Sequence, residues 1–94
     1  MNAPNEFEWN DSKASANEEK HGIPFEAAIG VFSDGNRLDE IDDRKNYGEE
    51  RRNAIGVVDG YCLTVTYTMR GDICRIISAR PASRSERMSY GYSS

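Results

Sequence analysis

From Arg51 onward apolar and polar residues alternate, and a period of two predicts strands. Asp59-Gly60 separates two runs of strand formers, a strong signal for a two-residue hairpin. Pairing across that turn sets Val58 opposite Tyr61, Ala54 opposite Val65 and Arg51 opposite Thr68. A third strand follows in Arg70-Gly71-Asp72-Ile73-Cys74-Arg75-Ile76-Ile77-Ser78-Ala79-Arg80. With a turn over 69–72, Thr68 faces Ile73, Thr66 faces Arg75 and Val65 faces Ile76, which completes a three-stranded antiparallel meander. Alternation then gives the sheet two faces. One carries Ala54, Gly56, Val58, Tyr61, Leu63, Val65, Tyr67, Cys74 and Ile76, and forms the floor beneath the helices. The other carries Arg51, Asn53, Ile55, Thr64, Thr66, Thr68, Ile73, Arg75 and Ile77, and is free for solvent, a partner or a substrate.

Ahead of the meander the period changes. Phe25, Ala28, Ile29 and Phe32 recur at i, i+3, i+4 and i+7, behind a proline suited to a first turn, so they predict a core-building helix. Ser33-Asp34-Gly35-Asn36 ends it. An earlier helix over 11–20 has Asn10 or Asp11 as N-cap and Lys20-His21-Gly22 as its close, with cations at the negative end and a glycine for the left-handed position. Its only apolar residues are Ala14 and Ala16, while Lys13, Asn17 and Lys20 share one face. Phe7-Glu8-Trp9 is read as a short strand or an aromatic plug, and the stretch from Arg37 to Ile41 as an edge strand or a solvated acidic loop. Ser83-Arg84-Ser85-Glu86 has capping-box spacing and predicts a last helix through about Tyr90. The fold class is therefore α+β: a small antiparallel sheet of the meander plus one or two short N-terminal strands, two N-terminal helices on one face, and a short C-terminal helix.

Composition narrows the function. Ninety-four residues make one small domain over 1–94, with 1–5 and 91–94 expected to be flexible. The start has neither the basic cluster nor the apolar stretch of a signal peptide, and no apolar run approaches a membrane span, so a cytoplasmic protein without membrane attachment is expected. The net charge of -4 argues against generic nucleic-acid binding. It is unevenly spread: residues 1–43 hold eleven acidic and three basic side chains, residues 44–94 five and nine. The second half is thus the candidate anion-binding half, unless the first half neutralises it.

The arginines before, within and after the third strand carry the chemistry. A buried strand has no structural need for regularly placed cations, and a guanidinium fork matches phosphate oxygens, so a sheet that grips RNA phosphates is the first reading. Strict alternation sends Arg75 and Arg80 to opposite faces unless the strand bends before Pro81. His21, the sole histidine, is the natural proton-transfer group, although complementing the end of its helix beside Gly22 is reason enough for it to stand there. Glu26 and Glu50 are further proton acceptors, and Tyr47 and Tyr90 offer rings for stacking. Cys62 and Cys74 lack metal-site spacing and project to opposite sides of the sheet, so free thiols, no metal and no cofactor are expected.

Several of these motifs, taken in order, resemble the BrnT toxins: Phe7-Glu8-Trp9, Lys13, Asn17, Lys20-His21-Gly22, Phe25-Glu26-Ala27-Ala28, Tyr47-Gly48-Glu49-Glu50-Arg51, Ala54-Ile55-Gly56, Arg75-Ile76-Ile77-Ser78-Ala79-Arg80 and Glu86-Arg87. The resemblance runs from Phe7 to Tyr90. Two positions depart from the family pattern, Asn10 where Asp is usual and Met69 where an acidic residue commonly precedes Arg70. The resemblance implies a RelE-like toxin of a type II toxin-antitoxin pair, a ribonuclease that halts growth. Its implied partner is a BrnA-type antitoxin, whose ribbon-helix-helix domain supplies the only link to DNA; a heterotetramer is one stoichiometry it allows. On this basis His21, Arg75 and Arg80 are the expected catalytic residues of a metal-independent endoribonuclease, and Lys13, Lys20, Arg51 and Arg70 the expected RNA-binding residues. The alternative is a non-catalytic module whose arginine-rich sheet binds an acidic partner segment.

Overall fold

The computed structural model describes residues 3–44 and 46–93. Of the loose ends expected at 1–5 and 91–94, residues 1, 2 and 94 therefore lie outside the described residues. In chain order the elements are β1 (Glu6–Glu8), α1 (Asp11–His21), α2 (Phe25–Ala28) running into a 3-10 turn (Ile29–Ser33), β2 (Leu38–Asp42), β3 (Arg51–Val58), β4 (Tyr61–Arg70), β5 (Ile73–Pro81) and α3 (Arg84–Tyr90). The strands form one sheet in the order β1-β5-β4-β3-β2.

The helices start and stop where local chemistry dictates. Asn10 Oδ1 accepts from the Lys13 amide at 3.0 Å, and Gly22 closes α1 at φ 72°, its own amide donating to Glu18 O. The apolar spacing of Phe25, Ala28 and Phe32 does build core, but α2 is regular for only four residues before it tightens into the 3-10 turn. Phe25, Ala28, Val31 and Phe32 pack on Ala54, Leu63, Val65, Tyr67, Cys74, Ile76 and Ala79. Trp9 meets Phe25 edge-on, and Phe7 lies over Phe32. Full burial of Phe25 alone contributes about 2–3 kcal/mol.

The β3–β4 hairpin turns at Asp59-Gly60 with both residues at positive φ, the geometry of a type I′ turn. Val58 faces Tyr61 and Ala54 faces Val65, as the alternation predicts. Three expectations for the rest of the sheet need correction. First, the sheet is mixed: β1 lies parallel to β5, with Phe7 opposite Cys74 and Glu8 opposite Arg75. Second, the β4–β5 turn is the two-residue Gly71-Asp72 rather than 69–72, because Gly71 alone takes the positive φ (61°) that the tight turn demands. Arg70 therefore faces Ile73, and Arg75 faces Thr68, not Thr66. A slip of two residues leaves each side chain on its expected face.

Third, β5 bulges. Tyr67 faces Ile76 while Thr66 faces Ser78, so Ile77 is an extra residue that reverses the alternation beyond it. Ala79 consequently joins the helix-covered core. Arg75 lies opposite Thr68 and Arg80 opposite Thr64, four residues apart on β4, so both arginines share one face instead of taking opposite ones. That second face is not wholly open. α3 crosses to it, and Ile55, Cys62 and Ala82 pack there with Leu38, Val57, Tyr90 and Tyr92. The stretch from Arg37 resolves as the edge strand β2, paired antiparallel to β3.

Candidate functional site

The face opposite the N-terminal helices has a polar centre. Thr64, Thr66 and Thr68 project from β4 and are buried. Each hydroxyl has a partner: Thr64 donates to Glu86 (2.9 Å), Thr66 to Asn53 (2.6 Å) and Thr68 to the Glu50 carbonyl (2.7 Å). Around this row the bulged β5 sets Arg75 and Arg80, and β3 adds Arg51.

At one end the arginines and glutamates alternate in space. Arg75 bonds Glu8 at 2.8 Å, the parallel register of β1 having set the two side by side. Arg70 lies between two carboxylates, 3.9 Å from Glu8 and 3.8 Å from Glu49. Glu49 in turn holds Arg51 at 3.2 Å, and the Arg51 guanidinium stacks 3.9 Å above the Tyr47 ring. Arg70 makes only long contacts and its side chain is 54% exposed, so of the three it is the readiest to swing onto an incoming anion.

At the other end Arg80 grips Glu86 with both nitrogens, at 2.7 and 3.0 Å. The same carboxylate accepts the Ser83 amide at 2.7 Å and completes the capping box of α3. Burial on its own pushes Glu86 upward, but Arg80, the Ser83 amide and the Thr64 hydroxyl outweigh it and hold the carboxyl at about 2. Arg80 is thereby a structural tie between β5 and α3 as well as a cation on the shared face.

The remaining expected residues lie elsewhere. His21 lines a cleft of about 540 Å³ with Pro81, Ala82, Arg87 and Tyr61. Arg75 sits near the opposite end of β5, about 20 Å of strand away at ~3.3 Å per residue. Lys13 and Lys20 are exposed on α1, flanking Asn17 on the same stripe. Asn17 proves to be the structural member of that stripe. Its Nδ2 donates to the Ala79 carbonyl at 2.8 Å and its Oδ1 accepts the Ala79 amide at 3.1 Å, so it occupies the place of a strand neighbour where β1 has ended. Of the expected stacking groups, Tyr90 donates to Asp34 and Tyr47 lies under the Arg51 guanidinium; of the expected proton acceptors, Glu26 is exposed on α2 and Glu50 accepts from Arg52.

Sequence reasoning missed Glu8, Glu49, Glu86 and Asn17 as partners of this site. All four stand in the motifs that carry the resemblance to the toxin family, and Glu86 also has capping-box spacing, but none of their contacts across the sheet could be read from the sequence. Among the described residues no three His, Cys, Asp or Glu side chains come together to hold a metal ion. No described helix is long and apolar enough to cross a membrane.

No match is found among curated proteins. A family model described as the ribonuclease toxin BrnT of type II toxin-antitoxin systems matches residues 9–86, a span that includes α1, the whole β2–β5 ladder and the Glu86 that anchors Arg80. The protein therefore belongs to the BrnT family of ribonuclease toxins, whose partners in type II systems are antitoxin proteins.

Proposed function

We propose that the chain, acting as one RelE-like domain, is a cytoplasmic endoribonuclease that needs no metal and cleaves on the Arg75–Arg80 face of the sheet. The observation that carries this reading is the Ile77 bulge, which turns both arginines to the same side over the threonine row. Metal-free cleavage proceeds by attack of the ribose 2′ oxygen on the neighbouring phosphorus. One group removes the 2′ proton, another protonates the departing 5′ oxygen, and cations stabilise the added charge on the phosphate. Arg75 and Arg80 take the last role. Arg70 and Arg51 extend the cationic surface along the RNA backbone, while Lys13 and Lys20, on α1 over the other face of the sheet, could meet only RNA that wraps around the domain. Glu8, bonded to Arg75, is a candidate for proton transfer beside that arginine, and His21, which lines a cleft with Pro81 and Ala82, is a candidate at the Arg80 end.

The antitoxin in this reading is of the BrnA type, bridging to DNA through its ribbon-helix-helix domain and silencing the toxin by covering the arginine face. The test is cleavage of RNA by purified, antitoxin-free protein in the presence of EDTA, with products ending in 2′,3′-cyclic phosphate. Arg75→Ala abolishes cleavage while circular dichroism remains native, since Arg75 and its partner Glu8 are both partly solvated. Retention of full cleavage by that variant would reassign Arg75 to structure.

A second reading has its own support. Arg51, Arg75 and Arg80 all carry a glutamate partner within the chain, as they would in a module that binds a protein without catalysis. Stable antitoxin binding with no cleavage of any RNA offered would favour it.

A further inference from the structure

The N-terminal helices do not cover the whole of their sheet face. Beyond Phe32 the face continues as Tyr67, Arg52 and Asp39, and a cleft of about 640 Å³ opens there, walled by residues 3–6 on one side and Arg37 on the other, with Met69 at its end. It lies on the side of the sheet opposite Arg75 and Arg80, since Tyr67 belongs to the helix-covered core.

Its two arginines differ. Arg52 is committed, with Nε 2.7 Å from Asp39 and NH1 3.3 Å from Glu50, and Asp39 is further satisfied by the Tyr67 hydroxyl. Arg37 is under-used. Its one side-chain hydrogen bond among the described residues is a long 3.3 Å contact to the Asp34 carbonyl, its guanidinium lies 6.0 Å over the Phe32 ring, and its Nε is buried with no acceptor among those residues. A guanidinium has five donors, and a buried N–H without an acceptor is costly, so this side chain gains by turning onto a carboxylate. Phe32, Tyr67 and Met69 offer apolar surface beside it. Asp39 is already neutralised by Arg52, and the acidic residues at the rim repel a polyanion along its length, which weighs against RNA as the occupant, whereas a single carboxylate has only to meet Arg37.

We infer that this cleft docks a segment of the antitoxin in which one carboxylate, bound by Arg37, is flanked by apolar side chains. The inference rests on membership of a type II family and is independent of whether the arginine face cleaves RNA. This segment grips the sheet face opposite Arg75 and Arg80, in addition to the part of the antitoxin that covers those arginines.

The test follows the Arg37 Nε–Hε signal by nitrogen-proton NMR while the full chain is titrated with acetyl-leucyl-glutamyl-leucinamide, its glutaminyl counterpart, inorganic phosphate or a uridylyl-adenosine dinucleotide. A saturable downfield shift with the glutamyl peptide alone is expected. No shift with that peptide overturns the proposal, and a larger shift with phosphate or the dinucleotide replaces it with a nucleic-acid site. With the intact antitoxin, Arg37→Met binds about 30-fold more weakly or worse, the loss typical of one partner of a desolvated charge pair. Met69→Glu, at a 43%-exposed position, also weakens binding by repulsion without threatening the fold. Unchanged antitoxin affinity in both variants refutes the docking site. RNA cleavage by free Arg37→Met stays at the wild-type level; its loss would place the cleft in the substrate path instead.

Discussion

Glu86→Gln isolates the tie between β5 and α3. The amide keeps an oxygen for the Ser83 amide and the Thr64 hydroxyl but leaves the Arg80 guanidinium without its counter-charge. In the folded protein the carboxyl sits at about 2 against an ordinary value of 4.5, and its side chain is only 18% exposed, so little of the effect is lost to solvent screening. A depressed carboxyl stabilises the fold above its unfolded value, and that stability disappears as pH falls through the folded one. The difference corresponds to about 3 kcal/mol at pH 7. Urea unfolding followed by circular dichroism should place the variant ~2–3 kcal/mol below wild type at pH 7, with most of that gap kept near pH 4.5 and less than ~1 kcal/mol left at pH 2.5. A gap that stays constant from pH 7 to pH 2.5 would refute the argument, because the variant would then be losing packing or capping and not a charge.

Asn17→Ala strips the Ala79 backbone of both partners and should cost roughly 2–3 kcal/mol, seen as a fall in Tm of about 10 °C or more and faster amide exchange at Ala79. Burial pushes Cys74 up to about 12 and raises Cys62 as well, so neither thiol should react with Ellman's reagent at pH 8 until urea unfolds the chain. Rapid labelling of Cys74 in the native protein would contradict its place in the core.

What could be read from the sequence was what neighbouring residues settle among themselves. Asp59-Gly60 specifies its turn, Ser83 and Glu86 their capping box, Asn10 and Gly22 the two ends of α1, and alternation the sides taken by β3, β4 and β5 up to Ile76. What escaped depended on partners far along the chain. β1 has three residues, too few to announce whether it runs parallel or antiparallel, and its direction follows from docking beside β5. The Ile77 bulge carries no glycine or proline signal; it is imposed by the need to bury both Ile76 and Ala79 under the helices while Ser78 and Arg80 stay on the other side. The site suffered accordingly. The arginines were identifiable as a group, but the glutamates that hold them were not, and His21 was placed with them only by its chemistry.

The docking of β1 and α1 onto β5 sets an order of events during synthesis. Glu8 reaches across 67 residues of sequence to Arg75, and Asn17 across 62 to Ala79. A ribosome delivers the chain from its N-terminus, so β1 and α1 emerge long before the strand that completes them exists, and contacts of such separation form late. Until β5 has left the exit tunnel, the first twenty residues have no sheet to join and Arg75 and Arg80 have no common face. The Arg75–Arg80 pair is thus brought onto one face in a late step, after the β3–β4 hairpin that carries Arg51 and Arg70 has emerged.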